Sequence, residues 1–237
     1  MKKIILFFIL PILVIFSIQF KYVKSQNLNH SDNVVKNNEN ILIILDSSYS
    51  MDDKINGEKK IDIAKRTINN VLSQLSPDIP LGLRVYGHKD GFFGIGGCKA
   101  SELIVPISPN SSKLISQEVS KIKPVGWTPI TYSIDQALKN DFSTVSGQKR
   151  IILVSDGMEN CGESPCDYVV RLIKNKVDIK IDTIGFALDE PEATSQLKCA
   201  ALATKGVFYP AENAKDLENS LIKSLNITKE VQGVIVK

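Results

Sequence analysis

Histidine and tryptophan are nearly missing from this chain. It has two histidines, His30 and His88, and one tryptophan, Trp127, in 237 residues. The scarcity leaves His88 as the only imidazole base in the body of the chain. Gly-x-Ser-x-Gly, His-Glu-x-x-His and the Walker pattern are all absent, which removes the common signatures of hydrolases, zinc proteases and nucleotide-binding loops. Beyond residue 25 no run approaches 18 apolar residues, so that part offers no membrane span. A basic excess is missing too. The formal charge is +3, but Lys2, Lys3, Lys21 and Lys24 stand in residues 1–25 with no acid, and setting those four aside leaves −1. No basic patch points to nucleic acid.

What is present begins with a leader. Lys2-Lys3 and the 17-residue apolar run Ile4–Phe20 form a basic head and a hydrophobic core of the secretory kind. Val23 and Ser25 place small residues at −3 and −1, which predicts cleavage after Ser25 and a signal peptide over 1–25. The alternative is an uncleaved N-terminal anchor, although Pro11 interrupts the run. Residues 26–40 are rich in Asn, Ser and Lys and read as a disordered linker. Residues 41–225 are long enough to bury a sizeable core, and 226–237 form a C-terminal tail in which Val231–Val236 could add a strand.

The body alternates short apolar runs with amphipathic stretches. Strands are predicted over 41–45, Leu81–Tyr86, Glu102–Ile107, Arg150–Ser155, Val177–Phe186 and Gly206–Tyr209. Met51–Lys59 reads as a polar loop with an Asn56-Gly57 turn. Lys60–Leu75 carries Ile61, Ala64, Ile68, Val71, Leu72 and Leu75 at helical spacing. Further helices follow Asn110 or Ser111 as cap, Pro129, Ser164-Pro165, Pro191 and Asn213. No helix separates the second strand from the third, so that pair is antiparallel. The order predicts an α/β fold: a doubly wound, mostly parallel six-stranded sheet with one antiparallel edge strand and helices on both faces. Gly87–Lys99, with five glycines, is too irregular for an element, and long loops of this kind are often functional.

The chain is organised around Ile41–Ser50, ILIILDSSYS. Five apolar residues read as a strand buried on both faces. Asp46, Ser48 and Ser50 then offer oxygens where an open α/β sheet places its ligands. Hydroxyl and carboxylate oxygens, without thiolate or imidazole, suit a hard cation such as Mg²⁺. The bland alternative is that the serines only cap a helix. Asp52 and Asp53 lie near enough in sequence to suggest a further ligand, but read rather as solvated loop charges.

Asp46-x-Ser48-x-Ser50 after a buried strand resembles the metal-ion-dependent adhesion site of von Willebrand factor A domains. In that family a distant Thr and a second Asp complete the site. Thr128, in Gly126-Trp127-Thr128-Pro129, and Asp156, after Ile151-Ile152-Leu153-Val154-Ser155, match both. The resemblance covers about residues 40–225. It implies a Mg²⁺ site, with Mn²⁺ or Ca²⁺ as alternatives, in which Ser48, Ser50 and Thr128 bind directly and Asp46 and Asp156 act mainly through water. Such a largely neutral shell leaves the cation able to accept an acidic oxygen from a protein partner. Gly126 and Gly157 are read as allowing tight turns beside the metal. Arg84–His88, Gly126–Ile130 and Asp156–Cys161 together resemble a bacterial exported branch of the family, some of whose members are labelled chloride-channel homologues. With no spanning run, that label implies no pore.

Four cysteines in an exported chain suggest disulfides. Cys98 and Cys161 fall on loops at the metal-bearing edge, and Cys166 and Cys199 on successive helices. Cys98–Cys161 with Cys166–Cys199 is therefore favoured over a local Cys161–Cys166 bond, although three pairings exist. A zinc site is possible, but the spacings do not match the usual pairs. The functional expectation is a secreted, periplasmic or cell-surface binding module, not an enzyme. The competing readings are a metal-dependent hydrolase using a site serine with His88, and an accessory subunit of an envelope complex.

Overall fold

The computed structural model describes residues 39–89 and 96–226. The predicted leader, most of the linker, part of the glycine-rich loop and nearly all of the C-terminal tail lie outside the described residues. The strands are β1 Glu39–Asp46, a hairpin of β2 Lys54–Ile55 and β3 Glu58–Lys59, β4 Leu81–Tyr86, β5 Ser101–Ser108, β6 Gln148–Ser155, β7 Lys180–Phe186 and β8 Phe208–Ala211. The helices are α1 Lys60–Leu72, α2 Ser112–Val119, α3 Ile130–Gln136, α4 Pro165–Lys174, α5 Pro191–Ala203 and α6 Ala214–Ser224. A wide π turn, Ala137–Asp141, extends α3.

Six strands form one sheet in the order β5-β4-β1-β6-β7-β8. Every pair is parallel except β4–β5. The sheet thus has the predicted architecture, with its antiparallel strand at one edge. β1 is buried along its whole length, which is why it lacks polar alternation. Its odd residues Ile41, Ile43 and Leu45 pack with Ile61, Ala64 and Ile68 of α1 and with Leu217 and Leu221 of α6. Its even residues Leu42 and Ile44 pack with Ile130 and Ile134 of α3, Val169 of α4 and Leu197 of α5. Helices therefore cover both faces.

The chain winds from β1 through β4 to the β5 edge, returns to place β6 on the other side of β1, and continues outward to β8. The winding direction reverses between β1 and β6. At such a switch point the loops leave the carboxyl ends of two neighbouring strands in opposite directions and open a crevice. Asp46 and Ser155 end those two strands.

Local departures from the sequence expectation have physical causes. The polar loop after β1 is a 3₁₀ turn, Tyr49–Asp52, followed by the β2–β3 hairpin. Met51 is fully buried inside it, and Asn56 and Gly57 take φ of 51° and 88°, the positive values a two-residue hairpin turn demands. β7 starts at Lys180, because the segment before it finishes α4: the Val177 amide donates to Leu172 O. β8 is shifted towards Ala211 and carries Pro210 at the sheet edge, where a missing donor is tolerated. Ser111 precedes α2 but does not cap it. Its hydroxyl donates to Leu81 O at 2.6 Å, tying the helix entry to β4.

Two disulfides are present, Cys98–Cys161 and Cys166–Cys199. This is the favoured pairing. The second joins α4 to α5. The first joins the segment before β5 to the turn after β6.

Candidate metal centre

Asp46 ends β1 with its carboxylate fully buried. Its Oδ1 accepts from the Ser48 amide at 2.8 Å and the Ser48 hydroxyl at 2.6 Å. Its Oδ2 accepts from Tyr86 Oη at 2.8 Å and Ser155 Oγ at 2.7 Å. Ser48 Oγ lies 3.1 Å from Ser50 Oγ, and Ser50 Oγ donates to Asp156 Oδ1 at 2.7 Å. Four of the five sequence-predicted residues thus form one continuous string of oxygens across the β1/β6 crevice.

Thr128 is the fifth. It lines a cleft of about 320 Å³ with Ser50, Lys60 and Asp156, and a neighbouring one of about 220 Å³ with Ser48, Ser50 and Trp127. Its loop is laced to the others by backbone. Ser48 and Gly126 form a parallel bridge, Tyr49 donates to Gly126 O at 2.9 Å, and Val125 donates to Gly87 O at 3.1 Å. These approaches need glycine. A Cβ on Gly126 would sit 2.6 Å from Lys89 O, and one on Gly87 would sit 2.7 Å from Ser48 N and Trp127 O. Gly157, read from the sequence as allowing a tight turn, has no such constraint: a Cβ there would lie 3.7 Å from Ser50 Oγ, an ordinary contact.

Several residues that sequence reasoning missed hold this arrangement. Tyr86 is the register partner of Asp46 on β4. Burial, together with the Asp46 charge, raises its phenol well above the ordinary value, so it stays a hydrogen donor. Asn160 Oδ1 accepts the Thr128 amide at 2.8 Å. Glu159 accepts the Thr131 amide at 2.8 Å and the Cys161 amide at 2.7 Å, capping the start of α3 from across the chain. Lys60, at the start of α1, reaches Asp156 Oδ2 at 3.0 Å and Ala187 O at 3.3 Å. The stretches holding Tyr86 and Glu159-Asn160 are among those that carried the resemblance to the exported branch. Lys60 had no signal of its own.

Burial and the negative charge of Asp46 push the Asp156 carboxyl from 3.8 up to about 7, against the opposing pull of Lys60 and Ser50. His88 makes its side-chain contact with Glu102 rather than with any of the five proposed residues. Its Nε2 is 3.1 Å from Glu102 on β5, and burial lowers its pKa. Asp53 lines the larger cleft, whereas Asp52 pairs with Lys59 at 2.7 Å on the exposed surface.

The oxygen set fits a small hard cation. Mg²⁺ holds ligands at about 2.1 Å in an octahedron, which separates adjacent oxygens by about 3.0 Å. The Ser48–Ser50 separation is 3.1 Å. Among the described residues, no group of three or more His, Cys, Asp or Glu side chains could hold a metal ion.

Residues 40–223 match the family model of the von Willebrand factor type A domain. The protein YwmD of Bacillus subtilis is 33% identical over 186 residues, spanning 76% of this chain and 82% of the relative. The vWF domain of the type V pili tip protein Mfa5 from Porphyromonas gingivalis has a TM-score of 0.59 at 13% identity, over 82% of this chain and 98% of that one. Proximal thread matrix protein 1 from the mussel byssus, with a zinc-occupied MIDAS motif, has a TM-score of 0.60 at 18% identity, over 79% of this chain and 44% of that one. At these identities the likeness to both solved structures is one of fold.

Proposed function

The chain belongs to the von Willebrand factor type A family, and from that premise we propose that it is an exported binding module. It holds a divalent cation among Asp46, Ser48, Ser50, Thr128 and Asp156 and presents that cation to an acidic oxygen of a protein partner. The observation that carries the reading is the oxygen string: Ser48 Oγ to Ser50 Oγ at 3.1 Å and Ser50 Oγ to Asp156 Oδ1 at 2.7 Å.

Mg²⁺ is the cation this donor set suits, with Mn²⁺ or Ca²⁺ as alternatives. Ser48, Ser50 and Thr128 bind it directly, while Asp46 and Asp156 act mainly through water. Once bound, it supplies an electrophilic point for a carboxylate. The chain's own residues do the rest. Tyr86 and Ser155 fix Asp46, Asn160 fixes the Thr128 loop, and Tyr49 and Trp127, 56% and 44% exposed, flank the site. Exposed aromatic side chains around a polar centre are what partner surfaces use.

Export rests on the leader and on the two disulfides, which persist in oxidising compartments. A secreted, periplasmic or cell-surface location follows. Among the described residues no helix is long and apolar enough to cross a membrane.

The test is retention of an envelope component by the immobilised chain in Mg²⁺, in EDTA, and with Ser48→Ala. A partner held in Mg²⁺ and lost in the other two conditions supports the reading. Retention that ignores EDTA contradicts it.

A further inference from the structure

Lys60 is out of place by the ordinary rules. It is the first residue of α1, where the helix dipole disfavours a cation. It is also buried, its side chain 6% exposed against a fully buried Asp156. Nothing in α1 draws an ammonium there. Its position is set from outside the helix, by Asp156 Oδ2 at 3.0 Å and by Ala187 O, on the turn between β7 and α5, at 3.3 Å.

We propose that Lys60 is a resident counter-cation of the metal site, weakening its hold on a divalent ion and strengthening the pull of the loaded site on an anionic partner. The inference rests on the functional reading above. The charge count makes the case. Asp46 and Asp156 bring two negative charges and Lys60 returns one. A divalent ion then leaves the cluster at +1, whereas without Lys60 the same ion would bring it to neutrality. The remaining positive charge is what a partner carboxylate meets. Lys60 lines the same cleft as Ser50, Thr128 and Asp156, so that carboxylate arrives beside both cations. The other acids of this cleft, Asp53, Asp189 and Glu190, are exposed, and solvent and salt screen them.

The size of the effect follows from Coulomb's law. A metal among Ser48, Ser50 and Asp156 Oδ1 is one carboxylate away from Lys60 Nζ. At a separation on the order of 6 Å, a +1 and a +2 charge repel by about a factor of ten in binding constant even at the dielectric of water.

The experiment is calorimetric titration of the full chain with Mg²⁺ for wild type, Lys60→Met and Lys60→Arg, at about pH 8.5 so that protons do not compete for the carboxylates. Each titration is repeated in acetate as the carboxylate probe. Lys60→Met is expected to bind Mg²⁺ about tenfold more tightly than wild type, and Lys60→Arg to keep wild-type affinity. Acetate is expected to strengthen Mg²⁺ binding more in wild type than in Lys60→Met. A role confined to packing would not tighten metal binding on removal. If Lys60→Met does not fold, Lys60→Gln is held to the same expectation. Wild-type binding with no gain in the neutral variant, or an equal acetate effect in both, overturns this inference alone. No Mg²⁺ binding in wild type or any variant overturns the functional reading beneath it.

Discussion

Tyr86 donates its phenolic hydrogen to Asp46 Oδ2 at 2.8 Å, from the position directly beside Asp46 in the parallel register of β1 and β4. Ser155 Oγ donates to the same oxygen from the far side, at 2.7 Å. The carboxylate is therefore clamped by both neighbouring strands, and Ser48 takes the oxygen that remains. Tyr86→Phe keeps the ring and removes one donor to a buried charge. It is expected to cost about 1.5–3 kcal/mol of stability, the usual value of a hydrogen bond to a charged group. Denaturant unfolding of the two proteins measures it.

Asn160 positions the Thr128 loop by accepting its amide at 2.8 Å. Asn160→Ala leaves all five proposed ligands in the chain and frees the loop that carries one of them. Mg²⁺ affinity is expected to fall by about 10–100-fold, as it does when a group orienting a metal ligand is lost. Calorimetric titration reads this. An unchanged affinity would show that the loop is held well enough by its backbone bonds to Ser48, Tyr49 and Gly87.

The two disulfides are expected to differ in what they protect. Cys166–Cys199 joins helices α4 and α5, and replacing both cysteines with alanine should cost about 2–4 kcal/mol while leaving Mg²⁺ affinity intact. Cys161 follows Asn160 in the chain, and its amide is held by Glu159. Removing Cys98–Cys161 should therefore lower both stability and Mg²⁺ affinity. Thermal unfolding and titration of the two double variants separate the cases.

Asp156 makes stability depend on pH. An unfolded Asp ionises near its ordinary value of 3.8, while burial and Asp46 raise the folded group to about 7. Between those values the folded chain binds more protons than the unfolded one, so this group makes stability fall as pH rises through the window. A divalent cation favours the ionised carboxylate and opposes that loss. The gain in melting temperature from Mg²⁺ is thus expected to be small at about pH 5 and full at about pH 8. Asp156→Asn should flatten the metal-free profile. Melting curves across pH, with Mg²⁺ and with EDTA, give the comparison.

The sheet was legible in the sequence because its central strands are buried on both faces. Ile41–Leu45 and Ile151–Val154 are unbroken apolar runs, and each ends abruptly in polar residues. Asp46, Ser48, Ser50 and Asp156 were legible because they stand directly behind those runs, whereas Thr128, on a loop far from either, was found through the family resemblance. Lys60 was not legible, because a lysine in the first turn of an amphipathic helix reads as a surface charge, and only the folded chain brings it to a residue 96 positions away. Tyr86 depends on strand register, which no local pattern reports. The buried ion pairs Arg84–Asp141 and Arg150–Asp182, separated by 57 and 32 residues, were hidden for the same reason. Arg150 opened a predicted strand with nothing to mark its burial, yet it is 2% exposed and joins Glu39 to Asp182. The hairpin at 54–59 was missed because its strands are two residues each, too short to show a period.

Calorimetric titration of the full chain with Mg²⁺, wild type against Asp156→Ala at about pH 8, where the wild-type carboxylate is ionised, tests the central claim most directly. The account predicts one Mg²⁺ per wild-type chain and an affinity at least about tenfold weaker in the variant, which loses the carboxylate that anchors Ser50. Equal Mg²⁺ affinity in the two proteins would contradict it.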